Sequence, residues 1–243
     1  MAFQPIYYIT LACPTVEASI KKIEEYIAHG AMALQLDMPS REPIYETPLV
    51  KAGMGQALET NDGYAFFMNT IRDIYKRYPA LDLHLVAYPD VVETIGRQRF
   101  IAFCKSAKIA SFMPVSQDIQ YKISFKKDGL TVVESIDNDL NDIAVLHAAT
   151  LRENDVVTFR YKDHTKHSQL GIATLAQKVS YLRERGVKSK IYAVEGISSQ
   201  EMMREVRDSG MDGAFVGNVL MELWDNEDKL WSLFDAFQSL VEK

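Results

Sequence analysis

The chain has 243 residues, 47% of them apolar, a content and length that suit one globular domain of barrel size. Its net charge of −6 argues against nucleic acid or an anionic membrane as the main partner, since both require clustered Lys and Arg. Its two cysteines, Cys13 and Cys104, form no metal or redox spacing and read as buried free thiols in a reducing compartment. The start of the chain lacks a basic, then long apolar signal segment, and no stretch approaches the roughly 18 apolar residues that span a bilayer. The expected location is the cytoplasm.

In chain order, residues 6–12 are apolar and β-rich and end at Cys13-Pro14, which predicts the first strand. Thr15 is placed to cap a helix with Val16, Ile20, Ile23 and Ile27 on one face, closed by Gly30. Residues 31–38 are the second strand. A loop with Pro39, Pro43 and Pro48 follows, stiffened by its prolines and longer than a simple connector. Residues 49–58 and 65–78 read as helices. Residues 81–88 are the third strand, 91–108 a helix, 109–115 the fourth strand and 118–127 a helix. Residues 130–136 are the fifth strand. The helix at 139–153 carries a stripe of Leu140, Ile143, Ala144 and Leu146. Residues 155–161 are the sixth strand, 163–171 a polar loop and 172–185 a helix ended by Gly186.

The next segment is the most informative. Tyr192 to Gly196 reads as strand and glycine turn, Ser198 or Ser199 as a helix cap, and Gly210 as the left-handed helix end. Residues 211–216 are a short buried strand ended by Gly217. A helix over 219–242 closes the chain. Eight strands, each followed by helix, predict a single (β/α)8 barrel domain over 1–243, with a doubly wound open sheet as the alternative. Two consecutive glycine turns after the last two strands place bare amides where such barrels receive a phosphate; the same glycines also serve turn geometry alone.

Chemistry in such a fold belongs at the C-terminal ends of the strands. On the second strand Gln35 and Asp37 share a face pointing to the mouth, with Leu34, Leu36 and Met38 facing the helices. Glu46 lies in the proline loop above, Tyr88 ends the third strand, and Glu195 ends the seventh. These carboxylates fit an acid and base pair, a site for a hard cation, or a solvated rim paired with Arg160 and Lys162. No ligand spacing is diagnostic of a metal. His164 and His167 belong to a solvated loop on this reading, and His84 to the core. The sequence contains neither a Gly-x-Ser-x-Gly elbow nor a Gly-x-Gly-x-x-Gly dinucleotide turn. The strands present no obvious Schiff-base lysine, Lys162 and Lys190 being the remaining candidates.

Several runs carry a family resemblance: Tyr8 to Ala12 before a proline, Gly30 to Pro39, the Pro43 to Pro48 loop, and Gly196-Ile197-Ser198 with Gly217 after it. Together they resemble the tryptophan synthase alpha-subunit family. The resemblance implies a (β/α)8 barrel that cleaves indole-3-glycerol phosphate to indole and glyceraldehyde 3-phosphate. It implies no cofactor in this chain and pairing with a pyridoxal-phosphate beta-type subunit. The family's proton-transferring glutamate on strand two and its loop aspartate, which holds the indole N–H, match Gln35 and Glu46. Gln35 cannot move a proton usefully, so Asp37, one strand repeat on, is the candidate replacement. Tyr88 matches a family tyrosine. Gly196 and Gly217 match phosphate-binding glycines, Asn218 stands where a serine is usual, and Thr165 stands for a threonine that closes over substrate. Glu195 replaces an uncharged residue, and its charge repels a phosphate unless it is protonated, turned away or paired. Gln35 and Glu195 together favour the alternative, a divergent barrel that binds another small ligand or serves as a partner subunit.

Overall fold

The computed structural model describes residues 3–11, 13–61, 63–162, 164–165 and 171–241. Among them are eight parallel strands in the order β4-β3-β2-β1-β8-β7-β6-β5, each followed by helix, the order of a (β/α)8 fold. The chain divides into two compact units, Tyr8–Val132, and Met1–Tyr7 with Val133–Lys243. No helix of the described residues is long and apolar enough to cross a membrane.

The first unit takes up β1 (Gln4–Thr10) from Tyr8 onward, then α1 (Val16–Ala28), β2 (Ala33–Asp37), α2 (Pro48–Thr60), α3 (Tyr64–Arg77), β3 (Asp82–Ala87), α4 (Pro89–Ile95), α5 (Arg97–Ser106), β4 (Ser111–Pro114) and α6 (Ile119–Lys127). Thr15 caps α1, its hydroxyl accepting the Ala18 N–H at 3.1 Å. The buried face of α1 is Val16, Ser19, Ile23 and Tyr26, so the expected stripe is rotated and Ile20 and Ile27 lie at its edge. The helix expected over 91–108 is two helices. Gly96 has φ +84°, a left-handed conformation that an α-helix cannot contain, so the chain turns there and restarts. Register between β2 and β3 sets Gln35 opposite His84 and Asp37 opposite Val86. His84 is buried, its Nδ1 2.6 Å from the Ser111 hydroxyl, as a core histidine should be. Phe100, Phe112 and Phe125 form a cluster with centroids 5.0 to 6.1 Å apart, and the Arg97 guanidinium lies 4.0 Å over Phe125. Each such fully buried ring contributes about 1.5–3 kcal/mol.

The second unit comprises β5 (Glu134–Ile136), α7 (Asp142–Ala149), β6 (Val156–Arg160), α8 (Leu175–Glu184), β7 (Lys190–Val194), α9 (Gln200–Asp208), β8 (Gly213–Val216), a 3-10 turn at Met221–Leu223 and α10 (Glu227–Gln238). β1 pairs with β8 from Gln4↔Gly213 to Tyr7↔Val216, and Tyr7 stacks on Phe234 of α10 at 4.4 Å. The stripe expected on α7 faces the wrong way. Asn141 caps the helix, Val145 and Ala148 are buried, and Ile143 and Leu146 are 79% and 63% exposed. Asp142 to Ala149 is apolar on nearly every side, so its sequence has no preferred face; the cap and the pairing with β5 set the rotation. Leu140, expected within that helix, precedes it at φ +53° and is buried. The closing helix is likewise shorter than 219–242, with the 3-10 turn first and Asn226 then capping α10.

Candidate functional site

The first unit brings a set of acids and hydroxyls to the C-terminal ends of β1, β2 and β3. Asp37, the last residue of β2, is fully buried. Its Oδ2 accepts the Tyr8 hydroxyl at 2.7 Å, and the Tyr8 oxygen accepts from Thr10 Oγ1 at 2.9 Å. Asp37 Oδ1 is buried without a hydrogen-bond partner among the described residues. Burial, then the neighbouring Glu46 charge, holds the Asp37 carboxyl well above the usual aspartate range; the Tyr8 donation opposes this, and Asp90 adds to it. Glu46 is half-buried and accepts the Tyr88 hydroxyl at 2.8 Å. Burial raises its pKa, while the Tyr88 bond and Lys51 pull it back. Unequal burial of two nearby carboxyls is the arrangement that separates an acid from a base.

The proline loop that carries Glu46 is tied down at its base. Asp90 of α4 accepts from Ser40 Oγ and from the Arg41 N–H, both at 2.8 Å, and the Tyr64 hydroxyl donates to Pro39 O at 2.9 Å. Its tip is open: Ile44 and Tyr45 are exposed and help line a cavity of about 330 Å³ with Tyr88, Asp90 and Ser116. Gln35 is buried on the same strand as Asp37, but among the described residues its amide reaches only the Met113 sulfur, at 3.6 Å. Leu34, Leu36 and Met38 are fully buried.

The second unit holds the glycine turns. Glu195 follows β7 at φ +64°, and its carboxylate pairs with Arg160 Nε at 3.1 Å, so its charge is compensated. Gly196 has φ +88°, and a Cβ there would press on Lys162 Cβ at 3.2 Å; both the conformation and the crowding call for glycine. Lys162 bonds through its backbone N–H to Glu195 O, holding the turn. Ser199, not Ser198, caps α9 through the Met202 N–H, and Gly210 ends it at φ +85°. Gly217 differs: its φ is ordinary and a Cβ would meet nothing within 4 Å, so it lies against open space. Asn218 donates from Nδ2 to Glu222 Oε1 at 2.9 Å. Thr165 is exposed in a turn. Lys162 is exposed, and Lys190 is a half-buried residue at the start of β7, the end remote from the strand C-termini.

Pattern reading missed two features. Tyr8 and Thr10 are alternate residues of an apolar strand, and two hydroxyls on one face of a buried strand are the signal that could have marked them. Lys178 of α8 is fully buried, donating to Asn138 O and Oδ1 at 3.2 Å and to His164 O at 2.8 Å. His164 itself is engaged at both ring nitrogens, by Tyr161 O at 2.8 Å and Glu205 Oε1 at 3.1 Å, which leaves no nitrogen for a metal; His167 lies outside the described residues.

A protein-family model described as tryptophan synthase alpha chain matches residues 2–240. The chain belongs to the tryptophan synthase alpha chain family. Its relatives are distant. The tryptophan synthase alpha chain of Photorhabdus laumondii is 25% identical over 226 residues, covering 91% of this chain and 83% of that one. The alpha chain of Actinobacillus pleuropneumoniae is 24% identical over 249 residues, covering 99% and 91%. Among solved structures, a chain from Aquifex aeolicus superposes with a TM-score of 0.82 at 19% identity, covering 100% of this chain and 94% of that chain. Tryptophan synthase subunit alpha from Legionella pneumophila gives 0.76 at 19%, covering 98% and 92%. These structures establish the (β/α)8 fold, and the family is that of a biosynthetic lyase.

Proposed function

We propose that this chain performs the family's lyase reaction, the retro-aldol cleavage of indole-3-glycerol phosphate to indole and glyceraldehyde 3-phosphate, with Asp37 in the proton-transfer role that Gln35 cannot fill. The observation that carries this reading is the buried Asp37 carboxyl, whose pKa is held by burial above the usual aspartate range and whose Oδ1 has no partner among the described residues. The proton balance closes on one group. Asp37 gives a proton to the indole ring carbon as the carbon–carbon bond breaks, and the glycerol hydroxyl returns one as it becomes the aldehyde. Glu46, held by the Tyr88 hydroxyl, accepts the indole N–H as positive charge develops on the ring. The amides of Gly196 and Gly217, with Asn218, take the phosphate, and the Arg160 pair removes the repulsion that Glu195 would exert. Thr165 closes over the substrate, and the chain works with a pyridoxal-phosphate beta-type subunit in the cytoplasm.

The direct test is incubation with indole-3-glycerol phosphate, alone and with a beta subunit; indole in neither assay ends the reading. The phosphate assignment has its own test. Gly217→Ala places a methyl in open space, so stability should change by less than about 0.5 kcal/mol. If the phosphate occupies that space, KM should rise roughly tenfold, about the loss of one hydrogen bond to a charged group. An unchanged KM removes Gly217 from the site.

A second reading is favoured by the contact of Gln35 with the Met113 sulfur, a side chain with no proton to offer at the family's acid position. On that reading the chain is a divergent barrel for another small ligand. Gln35→Glu separates the two. If Asp37 has taken over the chemistry, Gln35→Glu should alter the parent's turnover by less than about threefold but restore at least about tenfold to Asp37→Asn, within the range one positioned acid supplies. A large gain in the otherwise unaltered chain would instead mark a barrel that had lost its proton donor.

A further inference from the structure

The carboxyl that this reading depends on is oriented from another strand. Each hydroxyl has one hydrogen to give. Thr10 Oγ1 gives its hydrogen to the Tyr8 oxygen at 2.9 Å, so the single Tyr8 hydrogen is directed to Asp37 Oδ2 at 2.7 Å. Tyr8 and Thr10 are alternate residues of β1 and so present their side chains on one face of the strand. Asp37 Oδ1 lies buried without a partner among the described residues, which an ionised oxygen tolerates poorly and an O–H poised to donate tolerates better.

We propose that Tyr8, backed by Thr10, is a positioning residue that fixes which oxygen of Asp37 carries the transferable proton: Oδ2 is anchored by Tyr8 and Oδ1 is left to carry it. This deepens the lyase reading and, for its kinetic part, rests on it. The other charged groups facing Asp37 are Glu46, from the loop after β2, and Asp90, from α4, with Tyr88 at the end of β3 bound to Glu46. Both acids favour the protonated form, whereas the Tyr8 bond favours the carboxylate. Tyr8 therefore works against its surroundings, keeping the proton removable as well as placed.

The experiment is a carboxyl titration of the full chain without ligand, followed by infrared difference spectroscopy of the protonated C=O band, with Asp37→Asn to assign the signal. Tyr8→Phe keeps the ring and removes the donor, so the Asp37 midpoint should move up from the parent's. Thr10→Val should move it in the same direction by less, because it weakens the Tyr8 bond without removing it; it also serves if Tyr8→Phe does not fold. In turnover, Tyr8→Phe should lower kcat about tenfold with KM nearly unchanged, the mark of lost orientation and not of lost binding. The alkaline limb of kcat should shift with the titration. An Asp37 midpoint identical in the parent, Tyr8→Phe and Thr10→Val overturns the proposal. If the parent releases no indole, the lyase reading fails by itself, and the titration still decides whether Tyr8 controls Asp37.

Discussion

Asp37→Asn should lower indole formation by about 10²- to 10⁴-fold, the range for removing a positioned general acid, with KM changing little. The amide preserves shape and still accepts the Tyr8 hydroxyl, so the loss reports the proton and not the packing. The same substitution carries a stability signature. Asp37 holds its proton more tightly when folded than the roughly 3.9 of an unfolded aspartate. Its contribution to stability is therefore complete below pH about 4 and is lost as pH rises through the folded midpoint. Asn at this position does not titrate. Urea midpoints of the parent should fall relative to those of Asp37→Asn as pH rises from 5 to 8. A parent-minus-variant difference that stays flat across that range would mean that Asp37 is ionised throughout, and the acid role would go with it.

Gly213→Ala should be the most damaging small substitution in the chain, costing about 3 kcal/mol or more. A Cβ there would fall far inside contact distance of the Gln4 carbonyl oxygen and would lie 2.5 Å from Tyr192 Cε1. Overpacking in a core usually costs about 1–3 kcal/mol because side chains can give way. Here one obstacle is backbone, fixed by the β1–β8 register Gln4↔Gly213, and the other is a buried ring of β7, whose register is Tyr192↔Gly213. Relief requires the three strands to part. For a chain of this size the melting temperature should drop by about 6 °C or more. Gly217→Ala, four residues on, is the control, since its methyl meets nothing. A Gly213→Ala protein as stable as the parent would show that the strand spacing at this point is not as described.

The alternation of apolar runs with capped, periodic segments was enough to determine eight strands and their order in the chain, because strand and helix periods and caps are local properties of the chain; the pairing of β1 with β8 is what decided for the (β/α)8 class against an open doubly wound sheet. Thr15 and Ser199 cap the helices they precede, and Gly196 and Gly210 occupy the left-handed positions their turns require. The carboxylates at strand ends were equally legible, since β2 can present Asp37 only at its C-terminus.

What the sequence could not decide were matters of partnership between distant residues. Val91 to Lys108 has no proline, and whether Gly96 stays in a helix or breaks it depends on what packs beyond it. Asp142 to Ala149 is apolar on nearly every side, so its cap and its strand neighbour choose a face. Asp37 and Tyr8 are 29 residues apart, and nothing local joins them. Tertiary packing decided that Asp37 is fully buried, that its Oδ2 is held and Oδ1 is not, and that Glu195 is paired with Arg160. The physical reason is that the protonation and direction of a carboxyl are set by solvent exclusion and by nearby donors and charges, which exist only once the strands lie side by side.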